Sequence, residues 1–523
     1  MSTDFSSQLP VIDFIPQGEM NPRSKELRQY FEMFFDPKYD GYSEELEYIC
    51  DVPHRASKDV KASHLGVGFE LLDHRCGYDF DKVIPIMKES GVKWARLQSG
   101  WPRAEQEKGV YNFDWLDHIV DGLLEAGIQP WFSLSFGNGL YMGSAKPVPP
   151  HNTYMFSPTV FGEECIHAWE NYCRAMAEHF KTRVFHWEVW NEPNAGFLRK
   201  PFEKSEEIAP MIYKIVWEPP SEYAKLVAIT EKALHQVQPE AKIIGGSISG
   251  CAICNEYIQG LFDNGIAEHI DIFTYHPYQG IPELYYHERL QFIRDLIKES
   301  GRNIVIWQGE NGRPSETVTL HRGWKSTEGS QARYLTRRYL TDLREEIDMT
   351  SYFLCCDIGN GYLKGTVHSQ GVIDARDPEN YKPKLSFRAM QSFAWLFDAE
   401  VKKMHCCFEV LPEVPMSYTT RFQKEVITST TCGFRYKDIP IYAYYQVSNV
   451  DADGTVMPIK IETYIGNFKL DKPILIDPIT ARVYRIKKLV NFCDGNYGYN
   501  LLFPRLPILD YPLFLTDARI LDK

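Results

Sequence analysis

From about Leu65 the chain repeats one unit, a short apolar run followed by a longer segment with apolar positions every three to four residues. "HLGVGFE" predicts a strand, and "DFDKVIPIMKESGV" a helix closing at Gly91. "KWARLQSGW" and "FDWLDHIVDGLLEAGI" repeat the pair, closing at Gly127, and "QPWFSLSFGN" is a third strand. The helix "GEECIHAWENYCRAMAEHFK" sets Cys165, Trp169, Tyr172 and Met176 along one face. It leads into "FHWEVWNEPN", a strand that breaks off at Asn191-Glu192-Pro193, since proline forbids further ladder pairing. After an interruption the alternation resumes with "AKIIGGSIS", "IDIFTYHPY", "NIVIWQGENG" and "SYFLCCDIGNG", each followed by a helical segment, the last being "KLSFRAMQSFAWLF".

Eight strand-then-helix units require a parallel sheet, and at this length they fit a (β/α)₈ TIM barrel spanning 63–398. An open doubly wound sheet is the alternative. It would normally carry a glycine-rich phosphate turn after its first strand, whereas Gly66-Val67-Gly68 lies inside a strand with no third glycine. Beyond Asp398 the pattern changes to short β-branched and aromatic runs such as "IPIYAYYQVS", "TVMPIKIETYIG" and "KPILIDPITARVYRI", which predict an antiparallel β-sandwich over 399–523. Residues 1–62, with one helical segment "SKELRQYFEMFF", are assigned to an arm or partial subdomain.

Composition alters this picture in a few respects. The 523 residues are 44% apolar and 24% charged, ordinary for a folded multi-domain chain. A net charge of −13 argues against nucleic-acid or anionic-membrane partners, both of which want basic patches. The first residues lack a basic stretch leading into a long apolar one, and no apolar run reaches the ~18–20 residues that span a bilayer. The twelve cysteines include the adjacent pairs Cys355-Cys356 and Cys406-Cys407 and a single Cys-x-x-Cys, Cys251 to Cys254. Neither pattern is a disulfide framework or a zinc site with its full ligand spacing. The expectation is a cytoplasmic protein with reduced thiols, no metal and no organic cofactor, its oligomeric state open between monomer and homo-oligomer.

Barrels carry their chemistry at the C-terminal ends of the strands. Glu192 stands there on strand four and Glu310 on strand seven, facing one another across the barrel mouth. Paired carboxylates are what glycoside hydrolysis requires: an acid to protonate the leaving oxygen and an ionised partner on the other face of the sugar.

"WNEPN" resembles the acid/base signature of the clan A glycoside hydrolases, retaining enzymes on (β/α)₈ barrels. The resemblance covers residues 65–398 and, loosely, the sandwich, which is similar to that of the β-xylosidase/α-L-iduronidase family. It implies Glu192 as acid/base, Glu310 as nucleophile, Arg96 of "WARLQ" against that nucleophile and Tyr278 of "YHPY" pointing at it. It also implies Asn191 at the sugar 2-OH and His276 in the substrate site. Trp101 is a further candidate for sugar contact. The chain departs from the clan at strand eight, where Cys355, Cys356 and Asp357 stand in place of a tryptophan floor.

The plainer readings are a helix-capping or ion-paired role for either glutamate, a core role for His276, and burial for Trp101, Trp131, Trp187, Trp190 and Trp307. The expected function is a retaining exo-acting β-glycosidase acting on small glycosides, the sugar being a xyloside, glucoside, galactoside or mannoside. Its rivals are an endo-acting glycanase, a non-catalytic sugar-binding barrel and a zinc hydrolase using Cys251 and Cys254.

Overall fold

A computed structural model describes residues 46–72, 78–142, 156–198, 218–250, 255–316, 326–358 and 368–405 of the barrel side. Beyond these it describes 407–411, 417–419, 424–426, 430–447, 457–465, 470–488, 490–494 and 498–523. The helix expected over 24–35 and the cysteines 251 and 254 lie outside the described residues.

The eight predicted strands are β1 (Leu65–Gly68), β2 (Trp94–Gln98), β3 (Gln129–Leu134), β4 (His186–Val189), β5 (Lys242–Ser249), β6 (Ile272–His276), β7 (Val305–Gln308) and β8 (Met349–Tyr352). They pair in chain order and close into a barrel, β8 running parallel to β1 through Thr350–Leu65, Ser351–Gly66 and Tyr352–Val67. Closure rules out the open doubly wound sheet. Trp131 of β3 and Trp307 of β7 meet with ring centroids 5.7 Å apart, so these opposite strands fill the interior with side chains. Ile244, Ile272 and Met349 complete that cluster, and the barrel is a packed core rather than a pore.

The helices between the strands are α1 (Phe80–Met87), α2 (Asp114–Glu125), α3 (Glu163–Phe180), α4 (Pro220–His235), α5 (Asn255–Asp263), α6 (Tyr286–Ser300), α7 (Glu328–Arg344) and α8 (Leu385–Leu396). Each buries the face its sequence predicts; Cys165, Trp169, Tyr172 and Met176 of α3 are all buried. Local signals set the ends. Asp79 caps α1 by accepting from the Asp81 N–H, and Thr327 with Ser330 forms a capping box on α7. After α2 the chain turns at Gly127 with φ +78°, where a Cβ would lie 2.4 Å from Lys58 Cα.

A seven-stranded antiparallel sheet packs beside the barrel, with strand order Leu46–Asp51, Arg482–Ile486, Pro473–Asp477, Leu513–Asp517, Ile439–Tyr445, Thr430–Tyr436 and Val401–Met404. Residues 46–51, assigned from sequence to an arm or partial subdomain, pair with 482–486 at the sheet edge, a strand the sequence reading did not predict. The reason is the half-exposed alternation of "LEYICD", too short to stand out from the acidic stretch before it. A second sheet is formed by Cys407–Leu411, Met457–Ile465, Gly498–Ile508 and Val490–Asp494.

Helix α7 is sandwiched between barrel and sheet, and thirteen of its residues are buried, among them Arg333, Arg337 and Arg338. Arg337 forms a two-pronged pair with Glu283 at 2.7 and 2.9 Å, and Tyr445 from the sheet donates to the same carboxylate. Arg333 pairs with Asp510 at 3.2 Å, and Phe514 stacks edge-on against Phe393 and Phe397 of the barrel side. The two parts therefore share one core.

Candidate active site

Four strand ends converge on one buried guanidinium. Arg96, on β2, is fully buried because its side chain points into the barrel among acidic residues from neighbouring strands. Its Nε donates to Glu188 at 2.6 Å, Nη1 to Glu310 at 2.8 Å and Nη2 to Asn191 at 2.9 Å. A third carboxylate, Glu70 just beyond β1, lies 3.5 Å from Nη1. Glu188 also accepts from Ser247 and Thr274, at 2.9 and 3.1 Å.

Glu310 is held on both oxygens. Tyr278 donates its hydroxyl to Oε1 at 2.6 Å, and Arg96 occupies Oε2, with His276 Nδ1 at 3.6 Å. Glu192 receives His276 Nδ1 at 2.9 Å on its Oε1. Its backbone is left-handed, φ 44° and ψ 58°, where the chain leaves β4 for Pro193. Such a conformation costs ~1–3 kcal/mol and persists only when the surroundings impose it. Asn194 supplies part of that constraint, accepting from Ser249 N–H and donating to Ser249 C=O, each at 2.9 Å, which fastens the loop to β5. One oxygen of Glu192, one of Glu310 and a His276 ring nitrogen all lie within 4.8 Å of one another. That trio has the reach of a metal-binding set. Yet Glu310 already has a phenol on one oxygen and a guanidinium on the other, and a divalent cation there would sit against the Arg96 charge.

Electrostatics separates the carboxylates. Burial works against the Arg96 charge, but Glu188, Glu310 and Glu70 outweigh it and raise its pKa further. Burial pushes Glu188 up, yet Arg96 and the hydroxyl donors bring it below the usual carboxylate range. Glu310 is raised by burial and by the Glu192 charge, against the pull of His276 and Arg96. Glu70 is pushed up to about 8 by burial and by Glu310, against the pull of Arg96 and of a backbone hydrogen bond.

Of the residues expected from sequence, Arg96, Asn191, Glu192, His276, Tyr278 and Glu310 are brought together. Trp101 is not. It is fully buried, stacked on Tyr141 and Tyr172 and donating to Glu105 at 2.5 Å, so it has no face to offer a sugar. Trp131, Trp187, Trp190 and Trp307 are core residues too. At strand eight Cys355 and Cys356 are buried, and Asp357 pairs with Lys384 at 2.6 Å. Glu70, Glu188 and Ser247 were not expected. A signal existed for Glu188: a charged residue inside an apolar barrel strand needs an opposite charge on another strand, and Arg96 in "WARLQ" is that residue.

Residues 97–291 match the family model of glycosyl hydrolases family 39. That segment of the barrel is similar to glycosyl hydrolases of family 39. The segment similar to family 39 contains Asn191, Glu192, His276 and Tyr278, while Arg96 and Glu310 stand outside it and are tied to it by the contacts above. Over 150 residues the chain is 27% identical to a β-xylosidase of Geobacillus stearothermophilus, covering 27% of this chain and 26% of that one. Over 130 residues it is 34% identical to β-galactosidase BbgII of Bifidobacterium bifidum, covering 22% and 18%. The chain thus spans about a quarter or less of the length of these curated relatives. A family 39 glycoside hydrolase from Bacteroides cellulosilyticus WH2 shares the fold, with a TM-score of 0.62, 19% identity and coverage of 89% of this chain and 83% of that one.

Proposed function

We propose that this chain is a retaining, exo-acting β-glycosidase of small glycosides. The observation that carries the reading is the closeness of Glu192 and Glu310, with oxygens within 4.8 Å and His276 between them. Retaining enzymes place their carboxyl groups ~5–5.5 Å apart, and inverting ones ~6.5–9.5 Å to admit a water. Glu310 attacks the anomeric carbon, forming a glycosyl ester as the bond to the departing oxygen breaks. Glu192 gives that oxygen a proton, then takes one from the water that cleaves the ester. Arg96 and Tyr278 hold Glu310 ionised and aimed, because both donate to its charged form. Asn191, its carbonyl oxygen fixed by Arg96, presents its amide nitrogen to the sugar 2-OH.

No helix among the described residues is long and apolar enough to cross a membrane. The described cysteines Cys50, Cys165, Cys173, Cys355 and Cys356 form no disulfide, which supports a reducing, cytoplasmic setting. A non-catalytic sugar-binding role is disfavoured by the retention of both carboxylates with their donors in place.

The sugars named for the two curated relatives differ, so the test is a panel of aryl β-xyloside, glucoside, galactoside and mannoside, followed by the matching 2-fluoro sugar. Turnover of one of them with retained anomeric configuration, and label on the peptide containing Glu310, is the expected result. Inverted product, or label on another glutamate, overturns the mechanism.

A further inference from the structure

Arg96 is one positive charge touched by three buried carboxyl groups, Glu188 at 2.6 Å, Glu310 at 2.8 Å and Glu70 at 3.5 Å. Three ionised carboxylates on one cation would leave two negative charges uncompensated by Arg96 in a largely buried site, an arrangement that proteins avoid by neutralising one group. Which group keeps a proton is set by the hydrogen bonds. Glu188 has the closest guanidinium contact and two hydroxyl donors, and Glu310 has Arg96 and Tyr278. Glu70 has a long guanidinium contact on Oε1 and a backbone N–H, and its Oε2 is buried with no hydrogen-bond partner among the described residues. An ionised carboxylate left so poorly solvated is far costlier than a neutral acid.

We propose that Glu70 is a positioning residue that stays protonated in the resting enzyme, leaving the charge of Arg96 to Glu310 and switching the site off when it ionises. The idea deepens the glycosidase reading and rests on it for its kinetic arm. Glu70 reaches this place because its side chain folds back over β1, where a Cβ at residue 68 would lie 1.9 Å from its Oε2; only glycine leaves room. The groups facing it are Arg96 from β2, Glu310 beyond β7, Tyr278 beyond β6, and Tyr78 and Cys355, whose hydroxyl and thiol adjoin it from the segments before α1 and after β8. The tyrosines and the thiol are all held above their ordinary values by burial, so none of them ionises before Glu70. When Glu70 loses its proton, its charge competes with Glu310 for Nη1 and loosens the nucleophile's hold.

Two measurements test this independently. The first does not need a turnover assay: infrared spectra of the wild type with ¹³C-labelled glutamate, taken as pH is raised. A buried carboxylic acid band at neutral pH, converting to carboxylate near pH 8 and missing in Glu70→Gln, is expected. Glu70 already ionised at neutral pH overturns the proposal even if the protein proves a good glycosidase. The second is the ratio of kcat/KM in Glu70→Gln to that in wild type, followed with an activated aryl glycoside that needs no acid from Glu192. A group titrating near 8 makes this ratio climb about tenfold between pH 7 and 9, whatever its starting level. A flat ratio overturns the proposal. If no glycoside of any kind is turned over, it is the glycosidase reading that fails, and the infrared result still decides the state of Glu70.

Discussion

Replacing Tyr278 by phenylalanine removes one oxygen and keeps the ring. That oxygen donates at 2.6 Å to Glu310, a carboxylate whose folded-state pKa burial already raises. A hydrogen bond to a charged group is worth ~1.5–3 kcal/mol. At ~1.36 kcal/mol per pKa unit, its loss should raise the Glu310 pKa further, by ~1–2 units. The sign follows from the mechanism. Glu310 must be ionised to attack, so activity rises with pH through its pKa, and a higher pKa moves the acid limb of kcat/KM upward. Below the limb the ionised fraction, and with it kcat/KM, should fall ~10- to 150-fold, while well above the limb the loss shrinks to whatever orientation the phenol supplied. The assay is a kcat/KM–pH profile on the best substrate of the aryl glycoside panel, with a melting curve to show that the ring still packs. An acid limb within ~0.3 units of the wild-type position refutes the idea that this hydroxyl serves the charged form of Glu310.

Other consequences are as direct. Glu192→Ala should cost glycosides with poor leaving groups far more than activated aryl ones, since only the former need its proton; equal losses in a leaving-group series would count against the assignment. Arg337→Met leaves Glu283 buried without its two-pronged partner and should lower stability by ~3–5 kcal/mol in a denaturant titration. Because Arg337 outweighs burial and holds the Glu283 carboxyl below its ordinary value, the pair's contribution is full above the unfolded carboxylate pKa and is lost as pH falls through the folded value. The mutant's deficit should therefore narrow in acid, and a deficit independent of pH would contradict the pairing. Gly127→Ala puts a methyl 2.4 Å from Lys58 Cα at a positive φ and should cost ~1–3 kcal/mol of melting stability; an unchanged melting curve would show that the turn yields freely.

The strands of the barrel were legible because each is an apolar run between helices of 3.6 periodicity, and Gly91 and Gly127 marked helix ends. Both carboxylates were legible for a related reason: a charged residue that ends an apolar strand sits at a barrel's mouth, and Glu192 and Glu310 do so in "WNEPN" and "WQGENG". Glu70 also follows an apolar strand, in "GVGFE", but nothing in the sequence says that its side chain turns back over Gly68 to reach Arg96. Trp101 misled because tryptophan serves cores and sugar faces equally well, and only its stacking on Tyr141 and Tyr172 decides between them. The strand 46–51 was hidden for another reason. Its partner lies at the far end of the chain, and pairing between distant segments leaves no local periodicity to read.

That pairing, Leu46 opposite Ile486 and Asp51 opposite Arg482, makes the sheet a clasp as well as a neighbour. Segments from before and after the barrel are stitched side by side, so the barrel is enclosed between the two halves of a single hydrogen-bonded ladder. Closing so long a loop early would cost chain entropy with few contacts in return, so the clasp should form after the barrel has drawn its ends together. Residues 399–523 produced apart from 1–398 would not be an independent body. The separation would strip the sheet of its edge strand at one end and lay the row of unpaired amides on 482–486 open to any other strand in solution.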